Sequence, residues 1–340
     1  MYILIAILVF GLLIFIHEGG HFLAARICKV TVNEFSIGMG PKLFSKRSKK
    51  SNTLYSLRAL PIGGYVSMDG EDESSENPDA FCNKSVPKRM FIVLAGAFMN
   101  LLLGFILMFM LVFSQEFLLS TRIGAFNENS LSAEKLMIGD EVRRVEGARV
   151  HTGDELIYEI MNEGDKPIDL VVIRDGEEVL LEDVVFPNFV DSGVTFGEID
   201  FKVYSEEATF GNYIKHAFYR SCSTVKMIYD SIFNLISGKY GMEAVSGPVG
   251  VTEVVGDAAK SGFSNLVYVV CVVSINLGVF NLLPIPALDG GKFAFLAVEA
   301  IIRRPINKKF EAYVNFIGIV LLFGLMIFVT FKDIIKLILR

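Results

Sequence analysis

The sequence predicts a multi-pass α-helical membrane protein with a mainly-β domain inserted between its second and third spans. Three observations carry this. Of the 340 residues, 52% are hydrophobic. Four segments reach the ~20 mostly apolar residues that a spanning helix needs: Ile3–Ile27, Met90–Phe113, Phe263–Leu283 and Phe316–Phe331. The long stretch between the second and third is instead polar, acidic and punctuated by Gly and Pro.

The first span carries no charge from Tyr2 to Ile16 and then reads His17-Glu18-Gly19-Gly20-His21 before apolar character resumes at Phe22. On a helix, residues four apart share a face, so His17 and His21 can grip one ion. Zinc accepts imidazole nitrogen, and a catalytic zinc keeps one position for water. Glu18 stands beside the first histidine, where it can take a proton from that water. H-E-x-x-H also occurs by chance as surface polar residues, but a solvated face does not sit between Ile14-Phe15-Ile16 and Phe22-Leu23. Ionisable groups in a membrane helix are expensive and mark function. The motif therefore predicts one zinc ion working inside a bilayer, and the span that contains it is not a removable signal peptide.

Between the first two spans, Val30–Val32 and Tyr55–Leu60 have strand composition, Gly38–Pro41 and Pro61–Gly64 punctuate them, and Lys46–Asn52 reads as an exposed hairpin tip. Region 30–66 is either a peripheral hairpin or a sheet that dips toward the metal, shielded by protein as backbone at membrane depth must be. Glu71–Asp79 reads as a flexible acidic loop. Eleven Lys and Arg lie between Arg26 and Arg89, and Lys292, Arg303, Arg304, Lys308 and Lys309 follow the third span. The positive-inside rule makes both stretches cytoplasmic and puts both termini and the insert outside. The net charge of -6 argues against nucleic acid. Cys28, Cys82, Cys222 and Cys271 lack paired spacing, which predicts free thiols.

Within the insert, Leu136–Gly147 resembles the L-x-x-G-D-x-I-x-x-V-x-G signature of PDZ domains. Thr152–Asn162 reads as a helix with Thr152 as N-cap and Glu155 completing a capping box. Ile168–Ile173 and Glu177–Leu181 read as a hairpin turning at Asp175-Gly176. A PDZ-like domain over 120–187 follows, able to capture a peptide by strand addition. Its Gly-rich carboxylate loop is not recognisable near Ile123–Phe126. Region 188–262 is a connector, with one more strand region at Gly193–Phe201 and an amphipathic helix over Ala208–Ile236. That helix lies either on the outer membrane surface or against the insert.

Two histidines do not complete a catalytic zinc site. The third span runs into Asn281-Leu282-Leu283-Pro284-Ile285-Pro286-Ala287-Leu288-Asp289-Gly290-Gly291. The prolines break the helix, and Asp289 reaches the depth of His17 either as a ligand or as a helix cap. The order HEGGH, Gly96-x-x-x-Asn100, PDZ-like insert and N-x-x-P-x-P-x-x-D-G resembles the site-2 proteases, in particular their bacterial RseP-like group. The resemblance covers nearly the whole chain, with a first core half at 1–113 and a second at 263–340.

The resemblance implies an intramembrane zinc metalloprotease with His17, His21 and Asp289 as ligands and Glu18 as general base. Asn276, Asn281, Pro284 and Pro286 match substrate-handling positions. Gly63–Val66, with Tyr65, resembles the family's membrane-reentrant β-element, whose edge strand holds unwound substrate. The implied substrates are transmembrane segments of single-span proteins, such as an anti-sigma factor or remnant signal peptides, in a bacterial cell membrane. The family commonly has A-G-P where this chain has Ala95-Gly96-Ala97, and RseP carries two PDZ modules where this insert has room for one. The rival readings are a membrane-anchored PDZ adaptor with non-catalytic zinc, which gives Glu18 no task, and a metal transporter, whose ligands would line a path rather than cluster at one depth.

Overall fold

The structure is a computed structural model that describes residues 2–71, 73–191, 194–239, 241 and 245–338. The chain forms two compact units, one from residues 1–104 and 245–340 and one from 105–244.

In the first unit, α1 (Tyr2–Ile27) leads into two long strands, β1 (Val32–Arg47) and β2 (Leu54–Met68). Then come α2 (Val86–Phe113), which runs on into the second unit, α5 (Pro248–Ser261), α6 (Phe263–Leu282), α7 (Asp289–Ile302) and α8 (Lys308–Ile338). Among the described residues, four helices are long and apolar enough to cross a membrane: Leu4–Ile27, Val86–Phe113, Phe263–Leu282 and Lys308–Lys336. They match the four expected spans, the last one longer at both ends.

Close helix contact in lipid depends on small residues, and α2 meets α6 that way. A Cβ on Gly104 would lie 2.4 Å from Ile275, and one on Gly278 would lie 2.8 Å from Leu101. Ser274 Oγ donates to the Asn100 carbonyl at 2.8 Å, and Cys271 Sγ donates to the Gly104 carbonyl at 3.1 Å.

β1 and β2 run straight through the Gly and Pro positions expected to interrupt them. They bend there instead, at Gly38, Gly40 and Gly63, all with positive φ. Each strand therefore pairs twice. Ile37 faces Gly64 on one side and Leu57 on the other, while Lys46 returns to pair with Tyr55. The segment 64–68 is left at one edge of the sheet, and the tip falls in the expected place near Asn52. The acidic loop after β2 is tied down rather than free: Asn83 Nδ2 donates to the Ser75 and Asn77 carbonyls, and Lys292 pairs with Glu71 at 2.7 Å. Asp72 lies outside the described residues.

The second unit holds a sheet of β3 (Leu118–Phe126), β4 (Glu141–Val145), β5 (Ala148–Arg149), β6 (Ile168–Arg174), β7 (Glu177–Val184) and β10 (Phe201–Glu206). Its path is β10-β3-β4-β6-β7, with β5 paired to β4. The sheet thus extends past residue 187, since Phe201 pairs with Phe126. β8 (Asn188–Asp191) and β9 (Val194–Gly197) pair antiparallel as a separate two-stranded sheet, and Gly193 of the expected Gly193–Phe201 strand region lies outside the described residues. Asp175 and Gly176 both take positive φ in the β6–β7 turn, as a tight hairpin of that kind requires.

Helix α3 (Gly153–Glu163) is capped by Thr152, which accepts from the Glu155 N–H at 3.3 Å. Glu155 reaches back to the His151 N–H at 2.7 Å, one residue before the expected Thr152. Helix α4 (Phe210–Ile236) packs on this domain, with Tyr158 donating to Asp230 at 2.7 Å, while Phe210, Phe218, Phe233 and Ile236 stay exposed.

Candidate metal centre

The site forms where α1, α2 and the start of α7 converge. His17 and His21, one turn apart on α1, aim their Nε2 atoms at one point and lie 3.2 Å from each other. Asp289 Oδ2 lies 3.1 Å from His17 Nε2 and 3.2 Å from His21 Nε2. Three ligands of a tetrahedral ion with arms of about 2.0 Å stand about 3.3 Å apart, so the triangle has the size zinc requires. Among the described residues, these three are the only His/Cys/Asp/Glu group able to hold a metal ion. Asp289 Oδ2 is buried and, the imidazoles apart, has no hydrogen-bond partner. The residues present fit the ion.

The surroundings set the tautomers. His21 Nδ1 lies 2.8 Å from the Ile92 carbonyl, to which it donates, and that frees Nε2 for a metal. The Asn100 amide lies 3.5 Å from His17 Nδ1, while its own Oδ1 is buried without a partner. Turning the amide over, a change that leaves its shape unaltered, lets Oδ1 accept from His17 Nδ1–H.

Glycines make the approach possible. A Cβ on Gly96 would stand 2.2 Å from His21 Nε2 and 2.8 Å from His17 Cε1. One on Gly20 would stand 2.4 Å from the Ala95 carbonyl oxygen. Gly290 and Gly291 let the first turn of α7 tuck under the preceding loop, where a Cβ would meet the Leu283 and Ile285 carbonyl oxygens at 2.1 and 2.4 Å. Two ion pairs hold α7: Lys292 with Glu71 near one end, and Glu299 with Arg89 of α2 near the other.

Glu18 follows His17 on α1 and interacts electrostatically with His21, His17 and Asp289. Gly64, on the edge segment of β2, lies against it, with its Cβ position 3.3 Å from Glu18 Cγ. The structure thus gathers His17, His21, Asp289 and Glu18. Tyr65 follows Gly64 on the edge and bonds to Arg58. Asn281 donates to the Leu277 carbonyl of its own helix at 3.0 Å, and Asn276 Oδ1 is buried without a partner. Pro284 and Pro286 belong to the loop before α7, and among the described residues neither asparagine hydrogen-bonds to the triad. The Ile92 carbonyl and the fit of Gly96 were not foreseen. The signal was Gly96 and Asn100 four apart on one face of an apolar helix.

A site of this kind inside apolar spans defines a membrane metalloprotease. The chain belongs to peptidase family M50, whose profile matches residues 5–325. A Clostridium acetobutylicum protein described as a zinc metalloprotease is 38% identical, over 98% of this chain and 97% of that one. The regulator of sigma-W protease RasP of Bacillus subtilis is 30% identical over 96% and 97%. The zinc metalloprotease RasP of Bacillus licheniformis gives the same three values. This chain is therefore a zinc metalloprotease of the site-2 type, a multi-pass membrane protein of a bacterium.

Proposed function

We propose that this protein hydrolyses peptide bonds inside the transmembrane segments of single-span membrane proteins, with His17, His21 and Asp289 holding the zinc and Glu18 as general base. The observation that carries the reading is the donor triangle, built on a spanning helix with Glu18 beside it. Zinc, when bound, supplies Lewis acidity and an acidified water. Glu18 removes a proton from that water and returns it to the leaving amine. His21, held by the Ile92 carbonyl, and His17, held by Asn100, keep their Nε2 atoms free.

A substrate helix satisfies its own backbone bonds and hides its carbonyls until it unwinds. The edge segment around Gly64 and Tyr65 replaces those bonds by strand addition beside Glu18, so β1–β2 acts as the membrane-reentrant element. Asn276, with an unpaired Oδ1, and Asn281 take up the remainder, and Pro284 and Pro286 shape the platform. The inserted domain is read as PDZ-like and extracytoplasmic, screening access or capturing a peptide end. The exposed apolar face of α4 rests on the outer membrane surface. The name of the Bacillus subtilis relative favours an anti-sigma factor as substrate, and remnant signal peptides share the same form.

The test is Glu18→Gln. This variant retains zinc and loses about 100-fold or more in turnover of a model transmembrane substrate. Membrane fragments that accumulate in cells carrying it identify the substrates. Near-normal turnover refutes the assignment.

A further inference from the structure

The loop between α6 and α7 contains a backbone conformation that its own sequence does not favour. The Leu288 N–H donates to the Ile285 carbonyl at 3.2 Å, closing a turn with Pro286 and Ala287 at its corners. Proline first and a positive φ second is the type II pattern, which ordinarily has Gly at the second corner. Here the residue is Ala287, with φ +76°. A Cβ in this region crowds the backbone. The neighbouring type I turn reverses the Pro286–Ala287 peptide and restores a negative φ.

Helix α8 contacts that peptide. Asn315 Oδ1 accepts the Ala287 N–H at 3.2 Å. This acceptor is available only to the peptide orientation that the type II turn produces. Three residues on, along the same face, Gly318 is buried against Pro286, and a Cβ there would meet the Pro286 carbonyl oxygen at 2.6 Å. Asp289 follows Ala287 by two residues. The next two glycines are pressed onto the Leu283 and Ile285 carbonyls, and a flipped peptide would turn the Pro286 carbonyl away from Gly318 and the Ala287 N–H away from Asn315, releasing the loop from α8 two residues before the carboxylate.

We infer that Asn315 is a positioning residue: with Gly318 it holds the Pro286–Ala287 turn in the strained form that presents Asp289 to His17 and His21. This rests on the reading of Asp289 as a zinc ligand. A role confined to α8 stability would be indifferent to residue 287. A role in selecting the turn would not, because Gly adopts the positive φ unaided.

The test measures zinc affinity by chelator competition on the purified full chain in detergent, together with cleavage of a transmembrane peptide. Asn315→Ala weakens zinc affinity by about 10- to 100-fold, the range for lost support of a metal ligand. Adding Ala287→Gly to it recovers about tenfold or more. Gly318→Ala, a change favourable to helix formation, weakens zinc affinity in the same range and serves where Asn315→Ala accumulates poorly. Unchanged zinc affinity in Asn315→Ala or Gly318→Ala, or a loss that Ala287→Gly does not repair, overturns the inference while leaving Asp289 a ligand. Unchanged affinity in Asp289→Ala overturns the ligand reading and this inference with it.

Discussion

Gly96→Ala adds one methyl group against the Nε2 donor of His21, and its cost follows from the geometry. The new Cβ would stand 2.2 Å from His21 Nε2 and 2.8 Å from His17 Cε1, where ordinary contact begins at 3.4 Å. His21 must retreat by about 1.2 Å, the difference between 3.4 and 2.2, whereas a metal site tolerates about 0.2 Å in its ligand distances. The ring cannot swing freely, because its Nδ1 is fixed at the Ile92 carbonyl. Loss of supporting contacts alone costs about 10- to 100-fold in metal affinity, so displacement of both imidazoles should cost at least about 100-fold, or about 2.7 kcal/mol. The assay is zinc content after purification and zinc affinity by chelator competition, with helix content checked by circular dichroism. Gly104→Ala is the control. Its Cβ would meet Ile275 at 2.4 Å, which disturbs α2–α6 packing while leaving the imidazoles alone. Full zinc occupancy in Gly96→Ala, or equal zinc loss in both variants, refutes the reasoning.

Three further outcomes are expected. Asp289→Ala removes one of three donors and should purify with little zinc, which metal analysis reads directly. Glu34 is raised by burial, but hydrogen bonds from Ser56, Arg58 and Lys42 outweigh this and bring its pKa from the ordinary 4.5 down to about 2. Its stabilisation of the β-element is therefore complete above pH 4.5 and lost as pH falls toward 2. Glu34→Gln should flatten that part of the melting-temperature profile, and an unchanged profile counts against the network. Excision of residues 118–206 should leave a zinc-binding core, whereas excision of 120–187 strands β10 without β3 and should aggregate on size exclusion.

The parts legible in the sequence were those whose cause is local. Hydropathy gave the four spans, the spacing of His17 and His21 gave their shared face, and Asp175-Gly176 gave its turn. The misjudged parts depend on contacts between distant segments. Gly38, Gly40 and Gly63 look like strand ends, yet they bend β1 and β2 so that each pairs twice, which no window of a few residues records. β10 joins the sheet through a partner 75 residues away, Phe201 with Phe126. Gly96 matters because α1 approaches α2 through Gly20; its spacing from Asn100 marks the face, but the His21 ring it meets lies 75 residues away, 96 minus 21. By its amphipathic pattern, helix α4 fits either the membrane surface or the insert. The structure shows it packed on the domain through Tyr158 and Asp230, with Phe210, Phe218 and Phe233 still exposed.

The three converging side chains come from residues 17, 21 and 289, so the cluster joins positions 272 residues apart, 289 minus 17. Two imidazoles and a carboxylate converging at 3.1 to 3.2 Å in an apolar setting are not a low-energy arrangement by themselves. What keeps them together is close backbone packing that small residues alone permit: Gly20 on Ala95, Gly290 on Leu283, Gly318 on Pro286. These contacts lie between elements, not within the ligand set. The spacing of the three donors is therefore set by packing between elements, and a methyl group at any of these glycines would disturb it.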